Sequence, residues 1–189
     1  MSREHLPDYV VVNDDSSENK DVLRTPAESV VFPLDEETRK VIRHLETKFD
    51  QAENCGGLAA PQIGYSKRIV VLAVEDDPEL KKFRPDLSDT LPKSIWLNPS
   101  YKSLSSDKTT DWEACFSVDN FSARIARYTE ITYEAWTPEG EKVTGQAKGF
   151  LARLIQHEID HVNGTLFIDL VPQEEWVTWD ELREIRENG

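Results

Sequence analysis

His157 and His161 stand four residues apart in the stretch Gln156-His157-Glu158-Ile159-Asp160-His161, near the C-terminal end of the chain. On a helix that interval stacks two side chains on one face, with Cβ atoms about 5–6 Å apart, so two imidazoles can hold one metal ion. Glu158 points to the side of that pair, where a carboxylate can reach an activated water. Two neutral nitrogen ligands and a carboxylate beside an open position are the parts of a metal-assisted hydrolase. A solvated polar helix face can match the same pattern by accident. A catalytic metal usually takes three protein ligands, so one more must come from elsewhere: Cys115, Cys55, His5, His44 or a carboxylate. His44 reads more simply as facing solvent or capping the packing of the first helix, and His5 as part of a tail. Cys115 is better placed, between the small residues Ala114 and Ser117 and two positions after Glu113. Its alternative is the buried, inert thiol that most free cysteines are, and that remains the preferred reading of Cys55.

The elements that must position these groups follow from periodicity and turn chemistry. Residues 1–24 read as an irregular lead-in, with a short strand at Tyr9–Val12 and a polar loop from Asn13 to Asp21. Asp35 caps a first helix carrying the apolar stripe Val41, Ile42, Leu45 and Phe49 and ending near Glu53-Asn54. Arg68 to Val74 is a strand. Glu75 to Lys93, with its charges and prolines, reads as a long surface loop with one helical turn. Ser94 to Pro99 reads as a strand stopped by its proline, and Ser100 to Thr110 as a turn region. Alternation through Thr129, Ile131, Tyr133 and Ala135 makes a strand, and the turn Thr137-Pro138-Glu139-Gly140 returns it antiparallel. The helix that carries the histidines spans roughly 150 to 162, with Phe150 and Leu154 on the face of His157 and His161. Asn163-Gly164 closes it, Leu166-Phe167-Ile168 reads as a last strand, and a final acidic helix holds Trp176, Trp179, Leu182 and Ile185. Together these make one α+β catalytic domain over residues 1–189, with antiparallel and mixed sheets around the motif helix.

A chain of 189 residues suffices for a sizeable core, and 31% charged against 38% hydrophobic residues suits a well-solvated surface. A net charge of −14 opposes nucleic acid and anionic membranes as partners. The apolar run from Ile69 to Val74 is too short to span a bilayer. The start Met1-Ser2-Arg3-Glu4-His5-Leu6 has no apolar signal core and is followed by too many acids for a transit peptide. With two cysteines there is no disulfide framework, and a reducing cytoplasm is the expected setting.

Three stretches taken in order carry a resemblance: Cys55-Gly56-Gly57-Leu58-Ala59-Ala60-Pro61-Gln62, then Glu113-Ala114-Cys115-Phe116-Ser117, then His157-Glu158-Ile159-Asp160-His161. Read with Gln156, Asn163-Gly164, Val22-Leu23-Arg24, Asn98-Pro99 and Arg127, the chain resembles the peptide deformylases over nearly its whole length. The resemblance implies removal of the formyl group from N-formylmethionine at the start of new polypeptides, met free or at the ribosome, by a monomer. It implies Cys115, His157 and His161 as ligands of one divalent ion, Fe²⁺ first and Zn²⁺, Ni²⁺ or Co²⁺ as alternatives. It implies Glu158 as general base and then acid, and Gln62 with the Phe116 N–H as the oxyanion hole. Backbone at Gly57 and Ala114 would pair with the peptide, while Phe150 and Leu154 either wall the methionine pocket or pack the core.

The family pattern is departed from at Cys55 and Ala114, both usually glycine, and at Phe116, usually leucine. A positive φ at Ala114 would be strained, and the Phe116 ring narrows the approach. Residues 119–123 lack the usual proline and glycines, and the acidic C-terminus lacks the basic helix some relatives use to dock on the ribosome. Two other functions fit less well: a peptidase or amidase on the same helix, and a silent relative that binds without turnover.

Overall fold

The computed structural model describes residues 5–188; Met1 to Glu4, part of the start read above as lacking an apolar core, lie outside the described residues. Tyr9–Val12 is not a strand of either sheet, and Val12 already begins a turn. The Val10 N–H donates to the carbonyl of Gln62 at 2.8 Å and the Val12 N–H to that of Ser117 at 2.9 Å. The segment is a strap across two loops, with too few partners for a ladder. A single 3-10 turn, Lys20–Leu23, then buries Val22 and Leu23.

Helix α1 (Glu36–Gln51) begins where Asp35 accepts from the Thr38 N–H at 2.7 Å, with Glu36 and Glu37 at its positive end. Its stripe Val41, Ile42, Leu45 and Phe49 packs with Leu58, Ile69, Val71 and Leu97. Then follow β1 (Gly57–Ala59), β2 (Ile69–Val74), the short α2 (Pro78–Phe83), β3 (Leu91–Ser103), β4 (Lys108–Cys115), β5 (Val118–Tyr128), β6 (Glu130–Trp136) and β7 (Lys142–Lys148). Helix α3 (Gly149–Val162), β8 (Val177–Thr178) and α4 (Trp179–Asn188) complete the described chain. One sheet has the order β1-β2-β3-β6-β7 and the other β4-β5-β8. Pairing within both is antiparallel, with one isolated parallel bridge between Glu28 and Lys67.

The apolar run of β2 is continuous because both faces of its sheet are covered. Ile69 and Val71 face the α1 cluster, whereas Val70, Leu72 and Val74 alternate onto α3. Against them α3 places Leu151, Ala152, Ile155, Ile159 and Val162. Its other side meets the smaller sheet: Arg153 donates to the carbonyls of Ile125 and Thr109 at 2.8 Å each. The helix is thus wedged between the two sheets, and that is why its polar face is buried. It starts at Gly149, whose φ of +57° and close approach to the Asp86 carbonyl leave no room for a Cβ.

Two expectations fail in β3. Pro99 does not stop the strand, which runs on to Ser103 through a register shift between Leu97 and Ser100. The proline's missing N–H falls at that irregularity, while the Asn98 side chain brackets the N–H and carbonyl of Val30 at 2.8 and 2.9 Å. Ser100 to Thr110 is therefore largely the end of β3 and the start of β4. Leu166-Phe167-Ile168 is not a strand either. The chain forms a 3-10 turn over Phe167–Leu170, pinned by Asp169 accepting from the Leu166 N–H at 2.7 Å. Burial without a neighbouring strand explains the apolar triplet.

Candidate functional site

Helix α3 carries His157 and His161, and β4 delivers Cys115 to them at its very end. The Cys115 sulfur lies 3.3 Å from His161 Nε2, and the two Nε2 atoms are 3.2 Å apart. All three donor atoms fall within 4.8 Å of one another. Glu113 accepts from Nδ1 of His157 at 2.9 Å, so the proton sits on Nδ1 and the Nε2 lone pair faces the other two donors. One thiolate and two imidazole nitrogens in this arrangement fit a divalent first-row ion.

Charge around the donors is held in a buried network. Arg127 donates to both oxygens of Glu113 at 2.9 Å each, and Arg153 adds a third bond of 2.9 Å. Arg127 also reaches the Asp160 carboxylate. Burial alone would raise the Glu113 carboxyl, but the hydrogen bonds from Arg127 and His157 outweigh it and hold it well below the usual carboxylate range. Burial likewise disfavours charge on both imidazoles. Contacts with Cys115 and Glu113 reverse that at His157 and raise it, whereas His161, beside His157 and Arg127, is held well below its ordinary value.

Glu158 is 2% exposed, and its Oε2 has no hydrogen-bond partner among the described residues. Burial pushes its carboxyl up to about 7, opposed chiefly by His157. The backbone of Gly57 lies directly against it: a Cβ at that residue would come within 2.4 Å of Glu158 Oε1. Gln62 is oriented by its own turn. Its Oε1 accepts from the Ala59 N–H at 2.8 Å, which turns Nε2 toward the Cys115 sulfur at 3.3 Å.

These groups open into a cavity of about 520 Å³. His157, Glu158, Cys115 and Gln62 line it, as do Gly57, Ala114, Phe116, Phe150 and Leu154; His161, 1% exposed, lies behind them. Gly57 is on β1 and Ala114 on β4, each the edge strand of its sheet. An open strand edge offers main-chain donors and acceptors to an extended peptide. Ala114 is not among the described non-glycine residues with positive φ, so its Cβ causes no backbone strain. The Phe116 ring, 40% exposed, stacks on Tyr9 with centroids 5.2 Å apart and planes 13° apart. Phe150 and Leu154 both line the cavity and pack against the α3 core, so pocket wall and core are one surface here. Cys55 also lines the cavity, with its thiol 3.2 Å from the Gly57 carbonyl and its pKa pushed up to about 12, mainly by burial.

Residue patterns alone assign no role to Glu113, Arg127, Arg153 or Asp160. The signal was present: four charges in segments otherwise reading as buried must neutralise one another.

A family model described as polypeptide deformylase matches residues 12–176. Peptide deformylase 2 of Rickettsia conorii is 51% identical over 187 residues, covering 97% of this chain and 92% of its own. A crystal structure of peptide deformylase from Ehrlichia chaffeensis superposes with a TM-score of 0.74 at 26% identity, covering 97% of this chain and 98% of its own. One from Synechococcus elongatus, in complex with actinonin, gives 0.70 at 29% identity, covering 100% of this chain and 87% of its own. With two sheets wrapped on α3 and a thiol facing two imidazoles, the chain belongs to the polypeptide deformylase family.

Proposed function

We propose that this chain hydrolyses the formamide of N-formylmethionine at the start of newly made polypeptides, releasing formate. One observation carries the reading: a buried carboxylate with an unpartnered oxygen, Glu158, adjoins the pair of imidazoles that face Cys115. Cys115, His157 and His161 would hold one divalent ion, Fe²⁺ first, since thiolate and imidazole suit Fe²⁺ as well as Zn²⁺, Ni²⁺ or Co²⁺. When bound, that ion supplies Lewis acidity to the hydrolytic water. Glu158 takes a proton from the attacking water and passes it to the leaving amine, a double duty suited to a carboxyl raised to about 7. The Nε2 of Gln62 and the N–H of Phe116 stabilise the charge that develops on the formyl oxygen, each contributing about 3 kcal/mol.

The peptide main chain adds to the edges at Gly57 and Ala114, which makes recognition tolerant of sequence. Phe150 and Leu154 form the wall against which the methionine side chain rests. One catalytic domain supplies all these groups, so the reading needs no second copy of the chain, and we take the enzyme to act as a monomer. Nascent peptides are met in the cytoplasm, at the ribosome or after release, and among the described residues no helix is long and apolar enough to cross a membrane.

The test is formate release from a formyl-Met tripeptide under anaerobic conditions, with metal analysis of the same sample. Formate with one metal per chain is the expected result. Cleavage of a desformyl peptide without formate would replace this reading with a peptidase.

A further inference from the structure

Gln62 and Phe116 stand on turns of different sheets. Gln62 lies in the 3-10 turn Ala60–Ile63 between β1 and β2, and Phe116 in the two-residue turn between β4 and β5. The two sheets share no strand among the described residues, so strand pairing does not set the separation of the two turns. The segment from Val10 to Asn13 spans them instead. The Val10 N–H donates to the Gln62 carbonyl at 2.8 Å and, two residues on, the Val12 N–H donates to the Ser117 carbonyl at 2.9 Å. Asn13 then grips the start of β5 with both ends of its amide. Its Nδ2 donates to the Asp119 carbonyl and its Oδ1 accepts from the Asp119 N–H, each at 2.8 Å.

We propose that Asn13 is a positioning residue for deformylation: it locks the strap that holds the Gln62 amide and the Phe116 N–H at one separation. The proposal rests on the deformylase reading, in which those two groups form the oxyanion hole.

Donors of that kind act only if they are aimed before charge develops on the oxygen, and a misplacement of about 1 Å can cost up to about 10²-fold in rate. Each donor has a local restraint. Gln62 Oε1 is pinned to the Ala59 N–H, so its Nε2 follows the backbone of its own turn. The Ser117 N–H points at the Cys115 sulfur at 3.4 Å, which folds the turn carrying Phe116 against that thiol. Neither restraint relates one turn to the other. The Gln62 Nε2 contact with the Cys115 sulfur does so through a side chain; the strap does so through main chain at both turns. Val10 is anchored by burial among Val118, Ala123 and Ile125, whereas Asn13 is exposed and is tied to β5 by its amide.

The reach of that amide is the telling feature. An asparagine or aspartate in a surface turn ordinarily bonds its own backbone two residues on, as Asp14 does here with the Ser16 N–H at 2.9 Å. Asn13 instead bonds main chain 106 residues away. The Tyr9 stack acts on the ring of Phe116, and the strap acts on the main chain of its turn.

The test is Asn13→Ala in the full, metal-loaded chain with formyl-Met-Ala-Ser as substrate. The expected result is a fall in kcat of about tenfold with KM within about twofold. Metal content and affinity for the product Met-Ala-Ser, which has no formyl oxygen, are expected to stay unchanged. Asn13→Asp, which keeps the acceptor and loses the donor, is expected to fall between. In a Gln62→Ala background Asn13→Ala is expected to cost under about threefold, because a separation ceases to matter once one donor is gone. Nitrogen-edited NMR of the zinc-loaded protein reads the same geometry without turnover: the Phe116 main-chain and Gln62 side-chain amide signals should shift or broaden in Asn13→Ala. The proposal is overturned if kcat stays within about twofold, if metal content or Met-Ala-Ser affinity falls along with kcat, if the two substitutions multiply in full, or if both signals stay in place. Signals that move as expected in a protein that releases no formate would count against the deformylase reading alone.

Discussion

The floor of the cleft and its mouth are built by opposite means. At the floor, His157, Glu113, Arg127, Arg153 and Asp160 are buried and linked by hydrogen bonds, so no member can move without stranding a charge. At the mouth, Phe116 rests on Tyr9, Tyr9 lies under the Lys48 ammonium at 4.5 Å, and Phe83 lies under Arg186; these are ring contacts at half-exposed positions. The groups at the floor are over-determined, and those at the mouth are held by few contacts. On the proposed function the difference follows from what each must tolerate: one geometry at the floor, many sequences at the mouth.

The contrast can be broken first at the donors. Cys115→Ala or His161→Ala is expected to lower metal content from one per chain to near zero and activity to the uncatalysed baseline, read by elemental analysis and formate release. Glu158→Gln should keep the metal but lower kcat about 10²- to 10⁴-fold; a change under tenfold with full metal would remove it as the general base.

Glu113→Ala tests the supporting network. It leaves Arg153 buried without its carboxylate and Arg127 with Asp160 alone, and it frees the His157 ring. The expected cost is about 3–5 kcal/mol in a denaturant titration, together with about 10- to 100-fold weaker metal binding in a chelator competition.

Effects at the mouth should be smaller. Tyr9→Ala removes the ring beneath Phe116, worth about 0.5–1.5 kcal/mol. It should appear in KM with kcat unchanged, whereas a fall in kcat would show that the ring contact also holds the Phe116 N–H in position.

The smallest effect concerns Cys55. Its pKa is raised to about 12, so it stays protonated and unreactive near neutrality, and reactivity grows only as pH climbs toward that value. Peptide mapping after iodoacetamide at pH 8 should find Cys55 unmodified in the metal-loaded protein; rapid labelling there would contradict the raised pKa of a thiol that lines the open cavity.

Much of the floor was legible in the residues. The interval between His157 and His161 works because a helix repeats every 3.6 residues, which is local geometry. Pairing of Cys115 with those histidines needed the order of three motifs, since a contact between β4 and α3 leaves no local trace. Asn98-Pro99 misled because a proline ends pairing only where its N–H is required, and a register shift removes that need. Leu166 to Ile168 misled because buried apolar triplets look alike in strands and in turns under a sheet. The mouth was least legible: Tyr9 and Phe116, or Phe83 and Arg186, are brought together only by the tertiary fold.

The bare backbone at Gly57 against Glu158 has a genetic corollary. Every single-base change that alters a glycine codon's amino acid supplies a Cβ, and any Cβ there collides with the Glu158 carboxylate, the group proposed to move the proton. Residue 57 is thus isolated in sequence space: a lineage can leave glycine only if β1 or the Glu158 side chain shifts at the same time, and only a shift of β1 leaves that carboxylate where it stands.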